Sequence, residues 1–72
     1  MPLLLSQAEI NTNYIVMQVG QNRRLFEYGF FIGTKIFVLG HSPQKQSILI
    51  FINGGMVALR LSLAELVTVE CL

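Results

Sequence analysis

Residues 23–38, Arg-Arg-Leu-Phe-Glu-Tyr-Gly-Phe-Phe-Ile-Gly-Thr-Lys-Ile-Phe-Val, constrain the fold more than any other stretch, because two glycines there break a helical pattern and restart the chain as a strand. Leu25 and Tyr28 share one face of a helix at a spacing of three, and Asn22 is placed to cap it through its side-chain oxygen. Gly29 follows where a left-handed C-terminal residue is favoured, so the helix is expected to span Arg23 to Tyr28. Gly33 then precedes Thr34-Lys35-Ile36-Phe37-Val38, a β-branched and aromatic run entered through a tight turn.

The flanking segments read as short strands and turns. Ser6-Gln7-Ala8-Glu9 matches a capping box, which predicts one helical turn near the N-terminus, and Ser62-Leu63-Ala64-Glu65 repeats the pattern before the last strand. Asn11-Thr12-Asn13 is a polar turn, and Tyr14 to Val19 reads as a strand ended by Gly20. The second strand runs from Lys35 to about His41, and Ser42-Pro43-Gln44-Lys45-Gln46 has turn composition. Asn53-Gly54 between apolar runs favours a type I′ turn, so Ile48 to Ile52 and Met56 to Leu61 should pair antiparallel, with Val67 to Leu72 as the closing strand. Gly29, Gly33 and Gly54 are therefore assigned as structural turn residues. Five short strands need closure of their edges, which points to a mainly β chain folded as a small five-stranded SH3-like barrel. One short helix lies between its first two strands. The two-residue period nominates Ile36, Val38, Leu49, Phe51, Val57 and Leu59 for the interior, although the unbroken run Ile48 to Ile52 does not itself decide which set faces in.

Composition narrows the function. The 72 residues form one domain, whose core buries only about 60% of the surface its unfolded chain exposes. Yet 53% of the residues are hydrophobic and 12% charged, so apolar surface must remain exposed, the mark of a contact surface. Self-association through edge strands or the helix end is one expected consequence. The longest apolar run falls far short of the roughly 18 residues of a spanning helix, and the first residues lack the features of a secretory signal, so a cytosolic chain without membrane insertion is expected. A net charge of +1 gives no footprint for nucleic acid, and Lys35, Lys45 and Arg60 are too scattered for an RNA-binding barrel. A proline-peptide groove would need Trp and acidic loops, both missing here.

With one His, one Cys, no Asp and four Glu, the chain lacks the inventory of a catalyst, so no catalytic residue is assigned and no enzyme activity is expected. His41 and Cys71 are too few for a closed metal site, which takes about four ligands. No metal ligand or cofactor is assigned, and the lone cysteine can form no internal disulfide. Arg23 and Arg24 stand at the positive end of the helix dipole, a placement that costs about 0.3–1 kcal/mol each at low salt. Glu27 partly offsets it. The functional reading is that an arginine meets an acidic or phosphate group of a partner while aromatic neighbours supply an apolar anchor. Arg24, Glu27, Phe30 and Phe31 are the candidate partner-binding residues.

Taken in order, Arg23-Arg24-Leu25-Phe26-Glu27-Tyr28-Gly29, Phe30-Phe31-Ile32-Gly33-Thr34, Ala58-Leu59-Arg60 and Ala64-Glu65-Leu66-Val67-Thr68-Val69 resemble the FeoA family, the ferrous iron transport protein A domain, along nearly the whole chain. Each piece is weak alone, but four in sequence with these gaps are specific. Two positions depart from the family pattern: Ile32 stands where proline is common, and Tyr28 where leucine is common. The resemblance implies a single FeoA-like SH3-like domain over residues 1–72. It also implies a cytosolic accessory protein of bacterial ferrous iron uptake that binds the GTPase-containing part of the membrane ferrous iron transporter. The alternative it leaves open is a stand-alone SH3-like interaction module related to the C-terminal domain of iron-dependent repressors.

Overall fold

The protein is described by a computed structural model covering residues 1–44 and 46–72. Lys45, assigned above to a turn, lies outside the described residues. Among the described residues six strands form one antiparallel sheet: β1 (Leu3–Leu4), β2 (Thr12–Val19), β3 (Lys35–His41), β4 (Ser47–Ile52), β5 (Gly55–Arg60) and β6 (Val67–Cys71), in the order β1-β6-β2-β3-β4-β5. Helix α1 (Arg23–Tyr28) joins β2 to β3, and a four-residue helix α2 (Leu61–Ala64) joins β5 to β6. The strand beyond the expected five is β1. Only two residues long, it has no periodicity to betray it, and it is held by Leu3 opposite Val69 and Leu4 opposite Thr68. The ladder does not close between β1 and β5. There, α2 packs against β5 and against a 3-10 turn at Leu5–Gln7.

One apolar cluster fills the inside. Leu5, Val16, Leu25, Phe30, Val38, Ile48, Ile50, Leu59, Val67 and Val69 are fully buried, and Ile36 nearly so. Val57 packs partly buried against them. Leu49 and Phe51, expected inside, point out, and Phe51 is 47% exposed. The inward set on β4 is instead Ile48, Ile50 and Ile52, set by Val38 facing Ile50 before a bulge at Leu39 shifts the register. A five-residue apolar run offers the same hydrophobicity on both faces, so the inward set is chosen by cross-strand neighbours and not by period.

Neither capping box forms. The first turn is 3-10 at Leu5–Gln7, with no side-chain cap, and the Glu9 amide donates 2.9 Å to the Tyr14 hydroxyl. Tyr14 is buried apart from its polar tip's partner, so a hydroxyl brought from β2 satisfies the donor that Ser6 was expected to cap. Helix α2 starts one residue ahead of Ser62 and is led in by Arg60, again without a side-chain cap. Of the polar run expected as a turn, only Asn11 (φ 56°) turns, since Thr12 and Asn13 already belong to β2 and pair with Val38 and Phe37, and Leu61, expected to end β5, begins α2. The Asn-Gly signal holds. Asn53 (φ 53°) and Gly54 (φ 80°) sit between the paired residues Ile52 and Gly55, as a type I′ turn requires.

Candidate partner surface at the end of helix α1

Helix α1 begins as its sequence dictates, with Asn22 Oδ1 accepting from the Arg24 amide at 2.9 Å. It ends in a Schellman arrangement: Gly29 at φ 94° donates to the Phe26 carbonyl at 3.0 Å, and Phe30 donates to the Leu25 carbonyl at 3.0 Å. That motif brings the residue after the glycine back onto the last helical turn. Phe30 is therefore fully buried with Leu25 and has no area to offer a partner, which removes it from the candidate surface.

Phe31 goes the other way. The Thr34 amide donates to the Phe31 carbonyl at 3.0 Å, and Gly33 at φ 93° occupies the third position of this turn, where a type II turn requires positive φ. Ile32 holds the second position, which proline favours, so the substitution noted in the sequence costs no backbone geometry. The turn is tied to β2 at two points, by Gly33 donating to Val16 O at 2.8 Å and Val16 donating to Thr34 O at 2.9 Å. Phe31 (54% exposed) and Ile32 (74% exposed) thus project from a pinned turn.

Phe31 also stacks on Phe26, with ring centroids 6.1 Å apart and planes 17° from parallel, and Phe26 is itself half-exposed. The aromatic pair at the helix end is Phe26 with Phe31, not Phe30 with Phe31. Phe26 could have been found from the sequence, since it lies off the Leu25–Tyr28 stripe that faces the core. Ile32 also borders a shallow groove of mixed polarity lined by Gln18, Val19, Gly20, Glu65, Leu66 and Thr68. Arg24 and Glu27 are exposed on the same helix. The exposed Phe26–Phe31 pair thus shares one six-residue helix and its exit turn with one positive and one negative side chain.

The second glycine-rich turn supports this one from beneath. Asn53 Nδ2 donates to the Tyr28 carbonyl at 3.5 Å, so the β4–β5 hairpin tip rests on the end of α1. His41 and Cys71 are both exposed and lie on different strands, and among the described residues no three His, Cys, Asp or Glu side chains gather where they could hold a metal. Among the described residues no helix is long and apolar enough to cross a membrane.

Comparison with known proteins places this geometry. No curated protein matches the chain significantly. Among solved structures, a crystal structure of the iron uptake regulatory protein FeoA is 30% identical, with a TM-score of 0.88 over 100% of this chain and 99% of that one. The FeoA of Stenotrophomonas maltophilia, crystallised with zinc and described as a procaryotic SH3 domain protein, is 28% identical, with a TM-score of 0.80 over 94% of this chain and 89% of that one. The apo form of the manganese-activated repressor ScaR shares the fold alone, at 24% identity and a TM-score of 0.86 over 97% of this chain and 35% of the repressor. The FeoA domain profile matches residues 3–71, so this chain, with its SH3-like fold, belongs to the FeoA family.

Proposed function

We propose that this protein is a cytosolic, non-enzymatic accessory factor of ferrous iron transport that binds the GTPase-containing part of a membrane ferrous iron transporter and modulates it. Its membership of the FeoA family supports the iron-transport role, and the S. maltophilia relative has itself been put forward as a ferrous iron transport activating factor. The observation that carries the binding mode is the stacked Phe26–Phe31 pair with Ile32, held on a turn pinned to β2, with Arg24 and Glu27 exposed on the same helix. A pre-ordered aromatic ridge loses little conformational entropy on docking, and exposed arginine and aromatic side chains are among the groups enriched at interface hot spots.

Co-purification of the full chain with the transporter's cytosolic part, with and without guanine nucleotide, tests the reading. A complex whose yield changes with nucleotide supports modulation, and no complex in any nucleotide state refutes it.

A further inference from the structure

The sheet order leaves β5 as an edge strand, and the structure fixes which of its backbone groups face outward. The Leu61 amide donates to the Gln46 carbonyl at 3.0 Å, and Arg60 opposite Ser47 is the next pair along. Antiparallel pairs alternate between exchanging both hydrogen bonds and exchanging none, so Gly55, Val57 and Leu59 bond to β4. Met56, Ala58 and Arg60 turn their N–H and C=O groups to the open side.

Protein edges are ordinarily blunted by lysine, proline, a bulge or a covering segment. Strand β5 carries no lysine and no proline, and helix α2, which packs against it, is four residues long against the strand's six. The strand pairs with β4 without any shift of register, whereas β2–β6 and β3–β4 each contain one, and its one charged side chain, Arg60, is at its end. Its solvent face is also apolar. Phe37, Phe51 and Met56 form one cross-strand row and Leu49 with Ala58 the next, with Met56 66% exposed.

We propose that β5 pairs antiparallel with β5 of a second copy of this chain, about a two-fold axis through Ala58, to make one sheet continuous across both copies. The outward groups at positions 56, 58 and 60 are symmetric about Ala58, so in this register each meets its counterpart, and the same patch serves both copies as a two-fold contact requires. Ala58 faces Ala58 of the second copy, a small pair that lets the strands approach. Met56 faces Arg60 of the second copy, whose aliphatic stem extends the apolar row. The two arginines sit four residues apart along the paired strands, about 13 Å at the usual strand rise. That separation exceeds the screening length of about 8 Å at physiological salt, so the charge at the strand end does not oppose pairing. A six-residue edge buries well under the roughly 800 Å² per partner of a standard interface, so the dimer is weak and depends on concentration.

Sedimentation equilibrium between about 10 μM and 1 mM is the test, covering the weak end of the affinity range. The wild-type mass is expected to rise towards that of a dimer, and the amides of Met56, Ala58 and Arg60 to gain exchange protection in step. Ala58→Lys sets like charges directly opposite each other across the axis and is expected to weaken the dimer at least tenfold with an unchanged melting temperature. Ala58→Pro should do the same, since it removes an N–H that β4 does not use. Should the proline unfold the chain, the lysine variant decides. A strict monomer at about 1 mM overturns the proposal. So does a dimer indifferent to Ala58→Lys, or edge amides protected only when an extended segment of another protein is added. Arg24→Glu is expected to leave self-association untouched, which separates this contact from the transporter surface.

Discussion

Replacing Gly29 by alanine probes the junction on which the candidate surface is built. Gly29 has φ 94°, and a left-handed conformation costs an L-residue about 1–2 kcal/mol. The new Cβ would also collide with Asn53 Nδ2, the atom that donates to the Tyr28 carbonyl. Asn53 is exposed and can swing away, so the collision costs the hydrogen bond, about 0.5–1.5 kcal/mol, and not a rebuilt backbone. Reduced freedom of the unfolded chain returns about 0.4–1 kcal/mol. The net loss is about 0.5–3 kcal/mol, read at about 4–8 °C of melting temperature per kcal/mol for a domain of this size. A double-mutant cycle separates the two contributions. Asn53→Gly keeps a type I′ turn and removes the obstructing amide, so Gly29→Ala measured by urea unfolding in that background should cost about 0.5–1.5 kcal/mol less. Equal losses in both backgrounds would refute the hairpin-to-helix contact, and a loss below about 0.5 kcal/mol would refute the left-handed helix end.

Phe30→Ala should destabilise the fold by about 3–5 kcal/mol in chemical denaturation, while Phe31→Ala stays within about 0.5 kcal/mol, because only the first side chain fills the core. Tyr14→Phe removes the acceptor of the Glu9 amide and should cost about 1 kcal/mol, read by the same assay, whereas Ser6→Ala, which deletes the expected but unformed cap, should cost almost nothing. Excess chelator should leave the thermal unfolding curve by circular dichroism unchanged, since strand and helix pairing complete the core without metal ligands; a drop of several degrees would contradict that.

What was legible in the sequence is what local chemistry decides. Asn22, Gly29 and Asn53-Gly54 act through their own backbone or a neighbour two residues away, and α1 runs from Arg23 to Tyr28 as those signals require. Misreadings arise where a distant group outcompetes a local one. Ser6 loses the Glu9 amide to a hydroxyl from β2, and Phe30 is drawn inward by the Schellman turn while its neighbour is turned out by the next one. On β4 the alternation fails for a different reason, since the outer face is apolar too. Leu49 and Phe51 carry the same signal as the isoleucines between them, and only the register against β3 tells them apart. The candidate surface was half visible: Arg24, Glu27 and Phe31 are exposed, and Phe26 and Ile32 complete it in place of Phe30.

The central claim is that this chain meets the transporter through the ridge at the end of α1. Titration calorimetry of the transporter's cytosolic part with the wild type, Arg24→Glu and Phe31→Ser tests it most directly. Arg24→Glu places an acid in the first helical turn, worth about 0.3–1 kcal/mol to the helix, so its melting temperature should hold or rise slightly. The account predicts that both variants, folded as stably as the wild type, bind at least tenfold more weakly, a loss of about 1.4 kcal/mol or more. Wild-type affinity in a well-folded Arg24→Glu, Phe31→Ser double variant would contradict it and move the contact elsewhere on the sheet.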